Sequence, residues 1–267
     1  VLIDSHAHLD YEYEQGTEEL LAAARAQGIK GVIAIAAAAD SLEKTKALAE
    51  AFSEVYFTAG IHPHDSKDFQ PTIMDKIRQN HQHPKCVAVG ELGLDFFYHL
   101  SDRQVQFSAL EQQLNLSVEI GKPVVVHTRD ADEDTLRFLT PHSREFQRAH
   151  PGRAPGVIHC FTGSARLAEE CLKLGYYISF SGILTFKNAE DLRQVARDVV
   201  PMEKMLVETD SPFLAPVPHR GKKNQPAHTI EVARMVAQLK GIGLEEVAER
   251  TRRNTVQLFQ LPANFGT

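Results

Sequence analysis

Two histidines one residue apart, His6 and His8, follow the short apolar run Val1-Leu2-Ile3. On an extended strand residues i and i+2 point to the same face, so one metal ion can take both imidazoles. Alone, His-x-His is a weak signal, because nearby histidines arise by chance. The signal strengthens along the chain. Glu91 follows Val87-Ala88-Val89-Gly90, His127 follows Val124-Val125-Val126, His159 follows Val157-Ile158, and Asp210 follows Leu206-Val207-Glu208-Thr209. Each has a bland reading: a strand-end histidine can be a hydrogen-bonded core residue, and a strand-end carboxylate a helix N-cap or loop charge. Together they resist it, because an apolar strand gains no packing from ending in His, Glu or Asp, and burying such groups unpaired is costly.

Six donors are more than one tetrahedral ion takes, which points to two divalent ions sharing a carboxylate. The division that the positions suggest puts His6, His8 and Asp210 on one ion, His127 and His159 on the other, and Glu91 between them. Ions about 3.5–4 Å apart lower the pKa of a shared water and stabilise both attacking and leaving oxygens, which is machinery for phosphoryl or acyl hydrolysis. Asp210 is the candidate proton shuttle, and Glu91 the bridge on which the chemistry depends. Imidazole-rich sites suit Zn²⁺ or Mn²⁺ better than Mg²⁺, so all three remain open. Glu208 shares a strand face with Asp210 and either orients a ligand or serves as a buried ion-pair partner.

Six donors spread over two hundred positions need a scaffold whose strand ends converge. Eight short apolar runs supply the strands: Leu2 to His6, Gly31 to Ala36, Val55 to Gly60, Cys86 to Gly90, Pro123 to His127, Gly156 to Cys160, Tyr176 to Phe180 and Met205 to Thr209. Segments of helical period lie between them, among them Glu18 to Gln27, Leu42 to Phe52, Arg103 to Ile120 and Ala165 to Leu174. Gly28, Gly121 and Gly175 fall just after such segments, where a glycine ends a helix. After the eighth run come the loop Pro212 to Pro226 and two further helical segments ending near Phe259. The pattern predicts an α/β fold, a (β/α)₈ TIM barrel forming one domain over 1–267, with an open doubly wound sheet as the alternative.

Composition narrows the classes. Of the 267 residues, 43% are hydrophobic and 24% charged, as in ordinary soluble domains. No apolar run nears the roughly 18–20 residues that span a bilayer, and the chain opens directly on Val1-Leu2-Ile3-Asp4, so a cytoplasmic monomer without a membrane partner is expected. The three cysteines, Cys86, Cys160 and Cys171, lack metal or redox spacing and read as buried thiols without disulfides. A net charge of −6 disfavours broad electrostatic grip on duplex DNA and leaves a small pocket that engages a strand end or single nucleotide.

Six segments taken in order resemble a known family: Asp4-Ser5-His6-Ala7-His8-Leu9-Asp10, Gly60-Ile61-His62-Pro63-His64, Gly90-Glu91-Leu92-Gly93-Leu94-Asp95, Pro123-Val124-Val125-Val126-His127-Thr128-Arg129, His159-Cys160-Phe161-Thr162-Gly163 and Glu208-Thr209-Asp210-Ser211-Pro212. As a combination they are similar to the TatD family of metal-dependent deoxyribonucleases, within the amidohydrolase-like barrels. The resemblance implies two metals held by His6, His8, Glu91, His127, His159 and Asp210, and exonuclease action from the 3′ end on single-stranded or frayed DNA. On the same barrel, hydrolysis of an amide, lactone or aminoacyl ester is the competing reading, and a non-catalytic binding protein a third.

Substrate contacts are read from the loops beyond these strand ends. His62 is placed at the substrate or leaving group, or is a loop-structural residue, the reading favoured for His64. Arg129 either forks onto a phosphate or pairs with Asp95, Asp130 or Asp132. The basic segment Pro218 to Pro226, with Arg220, Lys222 and Lys223, is the candidate for backbone contact, against the reading of a solvated loop. Phe96, Phe97, Tyr98 and Phe161 either stack bases or cover the barrel edge. Alternation turns Cys160 outward into the core.

Overall fold

Each of the eight apolar runs forms a parallel strand in the computed structural model, which describes residues 1–266: β1 Leu2–Ala7, β2 Ile29–Ala34, β3 Val55–Ala59, β4 Cys86–Asp95, β5 Val124–Arg129, β6 Gly156–Ile158, β7 Tyr177–Phe180 and β8 Met205–Val207. The sheet order is β1 through β8 without a crossover. It closes on itself, since Ala7 bridges Ser211, His8 N–H donates to the Ser211 carbonyl at 2.8 Å and Asp210 N–H to that of His6 at 2.9 Å. Asp4, fully buried, pins the same seam by accepting from Thr209 N (2.9 Å) and Thr209 Oγ1 (2.5 Å). Burial pushes the Asp4 carboxyl up to about 7. The barrel is therefore what the run spacing predicted, and the open sheet is excluded.

The helices α1 Thr17–Ala26, α2 Ser41–Ala51, α3 Pro71–Asn80, α4 Arg103–Ile120, α5 Asp132–Ala149, α6 Ala165–Lys173, α7 Glu190–Gln194, α8 Thr229–Lys240 and α9 Leu244–Phe259 follow the strands. Their ends are local chemistry. Asp102 accepts from Gln104 N–H (2.8 Å) to start α4, Ser164 accepts from Leu167 N–H (3.1 Å) to start α6, and Gly121 ends α4 at φ 67°, a conformation that penalises a Cβ. No described helix is long and apolar enough to cross a membrane.

Two apolar layers hold the strand ends in place. The larger fills the space between barrel and helices, with Leu20, Val32, Phe57, Leu110, Ile158 and Phe180 among its members. The smaller joins Ile3, Ile33, Val87, Val125, Val157 and Leu206, from six different strands, and such residues can meet only inside the barrel. Leu258, Phe259, Leu261 and Phe265 pack against them and close that end. Val125, Val157 and Leu206 stand two residues before His127, His159 and Glu208, hence on the same strand face. The dry floor of the barrel thus fixes the direction of the polar groups above it.

One strand departs from its sequence reading. β4 runs to Asp95, five residues past Gly90, because Gly90 and Gly93 are strand residues at φ 147° and 146° rather than turns. A Cβ on Gly93 would strike the His127 carbonyl oxygen, and one on Gly90 would sit 2.7 Å from the Val125 carbonyl oxygen. β4 and β5 approach this closely only because both positions lack side chains.

Candidate metal centre

The ends of β1, β5, β6 and β8 and the middle of β4 bring His6, His8, Glu91, His127, His159 and Asp210 to one point at the barrel mouth. Glu91 lies at its centre, and its two oxygens face different groups. On the Oε2 side, His6 Nε2 is 3.4 Å and His8 Nε2 3.7 Å away; Asp210 Oδ1 is 3.5 Å from each of these nitrogens, which are 3.4 Å from one another. On the Oε1 side are His159 Nε2 at 2.8 Å, His62 Nε2 at 3.3 Å and His127 Nδ1 at 3.4 Å. The rings of His6 and His159 stack at 3.8 Å and join the two halves.

These atoms suit divalent cations. Ligands about 2.1 Å from one ion at tetrahedral angles stand about 3.4 Å apart, close to the 3.4–3.7 Å found from His6 and His8 Nε2 to each other, to Glu91 Oε2 and to Asp210 Oδ1. Glu91 Oε2 and His159 Nε2, both turned to the centre, are buried without hydrogen-bond partners. Buried polar atoms without partners are destabilising, and a cation at the centre would satisfy these two.

Neighbouring carboxylates fix which nitrogen each ring presents. His159 Nδ1 faces Glu208 Oε1 at 3.2 Å, and the same oxygen accepts Cys160 N–H at 2.7 Å. His127 Nε2 faces Asp95 Oδ2 at 3.1 Å. Each ring donates outward and keeps its inner nitrogen for the centre, the arrangement common among metal-binding histidines. Glu208, occupied in this way, acts on His159 rather than as a donor to the centre. Asp95 also receives His64 Nε2 at 2.8 Å and the backbone N–H groups of Phe97 (2.9 Å) and Tyr98 (3.0 Å).

Burial works against every charge here, and the partners decide the outcome. The Glu91 carboxyl is held well below the usual range despite its desolvation, by His159, His62 and His127. The Asp210 carboxyl is also lowered, against burial, by His8, His6 and His159. His159 is held well above its ordinary value by Glu91 and Glu208, again against burial. His62 goes the other way: burial pushes it down to about 4. Its Nδ1 accepts the His64 N–H at 3.1 Å, so the single proton of the neutral ring sits on Nε2 and points at Glu91. His62 offers the centre a donor, whereas the inner nitrogens of His127 and His159, whose protonated forms the carboxylates favour, would become ligands where a cation takes the place of the proton.

A cavity of about 840 Å³ opens above, lined by metal-centre residues and by Tyr11, Lys44, Tyr98, Arg129 and Phe213. Arg129 forms no ion pair with Asp95, Asp130 or Asp132 among the described contacts. Its guanidinium lies 3.9 Å from the Phe97 ring centre and 4.8 Å from that of Tyr98. The basic loop stands apart from this cavity. Arg220 lies over the Phe186 ring at 3.8 Å and donates to the Ala215 carbonyl at 2.9 Å, Lys223 donates to the Glu12 carbonyl, and Lys222 is exposed. Phe96 and Phe161 are buried and cover the barrel edge.

Cys160 needs a correction. β6 ends at Ile158, so strand alternation no longer governs residue 160, and its positive φ of 42° turns the thiol to the cavity wall, 3.1 Å from Ser181 Oγ. Cys86 and Cys171 are buried free thiols, as expected. Sequence reasoning missed Asp95 as a site residue, although it shares the face of Glu91 two alternations on. Tyr11, Lys44 and Phe213 lie in a loop, a helix and a loop, with no spacing that could announce them.

The profile of the family described as TatD related DNase matches residues 3–260. The metal-dependent hydrolase YcfH of Escherichia coli (strain K12) is 42% identical over 267 residues, covering 98% of this chain and 97% of that protein. The 3′-5′ ssDNA/RNA exonuclease TatD of Klebsiella pneumoniae (strain 342) is 32% identical, with 95% of each chain covered. The crystal structure of YjjV, a TatD homolog from Escherichia coli K12, superposes with a TM-score of 0.89 at 30% identity over 98% of both chains. With its barrel, its strand-end donors and these relatives, the chain belongs to the TatD-related DNase family.

Proposed function

We propose that this metal-dependent hydrolase cuts phosphodiester bonds in single-stranded DNA and releases nucleotides from the 3′ end, with the whole chain acting as one catalytic domain and as a monomer. The observation that carries the reading is the double face of Glu91, whose two oxygens address separate clusters of imidazole nitrogens beneath an open cavity. His6, His8, Asp210 and Glu91 Oε2 would hold one ion, and Glu91 Oε1, His127 and His159 the other, with Zn²⁺, Mn²⁺ or Mg²⁺ as candidates. When bound, such a pair supplies an activated water and neutralises the charge that builds on a phosphoryl group.

The side chains divide the remaining work. Asp210, which is partly exposed to the cavity, accepts the proton of the attacking water. His62 donates from Nε2 to a substrate oxygen. Arg129 and Lys44 face the cavity and meet phosphate charge. The name of the Klebsiella relative supports a single strand with 3′ polarity.

The test is metal analysis of the purified protein together with digestion of a single-stranded oligonucleotide labelled at either end, before and after chelation and on re-addition of each metal. Stepwise loss of 3′ nucleotides, abolished by chelation and restored by metal, is expected. An intact oligonucleotide beside turnover in a panel of amides, lactones and aminoacyl esters would replace this reading with acyl hydrolysis.

A further inference from the structure

Four aromatic side chains are largely open to solvent among the described residues: Tyr11 (48%), Phe97 (50%), Tyr98 (51%) and Phe213 (47%). Exposed aromatic surface opposes solubility and, when concentrated, marks a binding site. All four lie at the barrel mouth, in two groups. Tyr11, after β1, and Phe213, after β8, pack edge-to-face at 5.5 Å and touch the His8 ring at 5.8 and 6.0 Å. Phe97 and Tyr98, after β4, pack edge-to-face at 4.9 Å beneath Arg129 at the end of β5, and Tyr98 touches His64 at 5.3 Å. In an eight-strand barrel with strands in sequence order, the β8/β1 position stands opposite β4/β5. Glu91 and its partners lie between.

We infer that these two groups are separate nucleobase subsites, one on each side of the scissile phosphate, so that the protein takes two consecutive nucleotides with their bases splayed apart. The inference rests on the phosphodiesterase reading and adds the residues that select the substrate. Each group leans on a different half of the centre: Tyr11 and Phe213 on His8, and Tyr98, through His64 and Asp95, on His127. A phosphate over the ions then sends its two nucleosides in opposite directions. Aromatic faces and the Arg129 guanidinium stack any base without reading its edge, which suits an enzyme that degrades without regard to sequence. Duplex bases, stacked on one another and paired, cannot reach both groups at once.

The experiment is ligand-observed NMR titration of the metal-loaded protein with thymidylyl-thymidine whose linkage is made uncleavable as a methylenephosphonate, and with its two analogues in which one or the other base is replaced by hydrogen. Loss of either base should weaken binding to the wild-type protein about tenfold. Phe213→Ala should abolish one of these two penalties and Tyr98→Ala the other; thermal melting followed by circular dichroism verifies that each half-exposed substitution leaves the fold intact. Equal binding of all three ligands, undetectable binding of the two-base ligand, or loss of the same penalty in both variants would overturn the inference. Hydrolysis of unmodified thymidylyl-thymidine by the metal-loaded protein is measured separately. Base-dependent binding without hydrolysis overturns the phosphodiesterase reading and leaves the two subsites standing.

Discussion

Asp95 holds His127 by its outer nitrogen: Oδ2 lies 3.1 Å from Nε2, while Nδ1 of the same ring points to Glu91 Oε1 at 3.4 Å. The carboxylate is buried and also accepts His64 Nε2 and two backbone N–H groups, so it has little freedom to turn away. Asp95→Asn keeps the shape but removes the charge that pins the His127 proton outward. A partner of this kind is worth about 10–100-fold in metal affinity. One equivalent of metal should therefore bind as in the wild type and the second about that much more weakly, as measured by equilibrium dialysis with elemental analysis. Two equivalents bound with unchanged affinity would show that His127 is oriented by its packing alone.

His62 sits among the same atoms but should behave differently. The His64 N–H occupies its Nδ1, which leaves a proton on the nitrogen that faces the centre. His62→Ala should keep both metal equivalents while lowering kcat by about 10²–10⁴-fold, the range for a positioned proton donor. Loss of one equivalent from this variant would make His62 a ligand and contradict the proton placement.

How far the centre could be read from sequence follows strand geometry. His127 and His159 stand at the ends of Val-rich runs whose alternate residues line the barrel floor, so strand and site announced each other. Glu91 was legible as a strand end for the wrong reason: β4 continues through Gly90 and Gly93, which look like turn residues but are glycines because β5 passes too close for a Cβ. That misreading hid Asp95. Asp4 was invisible as a seam residue because its partner Thr209 is two hundred positions away. The interior Pro141 interrupts the helical signal of α5. The contacts of the basic loop were equally illegible, since nothing in its spacing announces that Arg220 lies over Phe186 and donates to the Ala215 carbonyl.

That last observation separates two sources of phosphate affinity. Arg129→Ala removes a guanidinium that lines the cavity and should raise KM for an oligonucleotide by about tenfold, in line with loss of one charge-assisted contact. Replacing Arg220, Lys222 and Lys223 together with Ala should change KM less than about twofold at moderate salt, because exposed charges away from the cavity are screened. Steady-state kinetics on one labelled strand compares the two variants. A larger effect from the triple variant would return the loop to the substrate path.

Acid should loosen the fold through a histidine remote from the centre. His142, on α5, is buried with Nδ1 2.5 Å from the Tyr176 hydroxyl and Nε2 3.2 Å from Ser117 Oγ, and burial pushes its pKa down to about 4. In the unfolded chain the same ring protonates near its ordinary value of about 6.5. Above that value neither state holds the proton and His142 adds no pH dependence. As pH falls from about 6.5 towards 4, the unfolded state binds a proton that the native state refuses, and stability drops by about 1.4 kcal/mol per pH unit. His81, pushed by burial down to about 3, acts in the same direction and continues lower. Urea unfolding at a series of pH values should show this slope in the wild type, and His142→Gln should reduce it by one proton's worth. An identical slope in the variant would mean that His142 carries its proton inside the folded protein, between a phenol and a serine that both hold it by accepting.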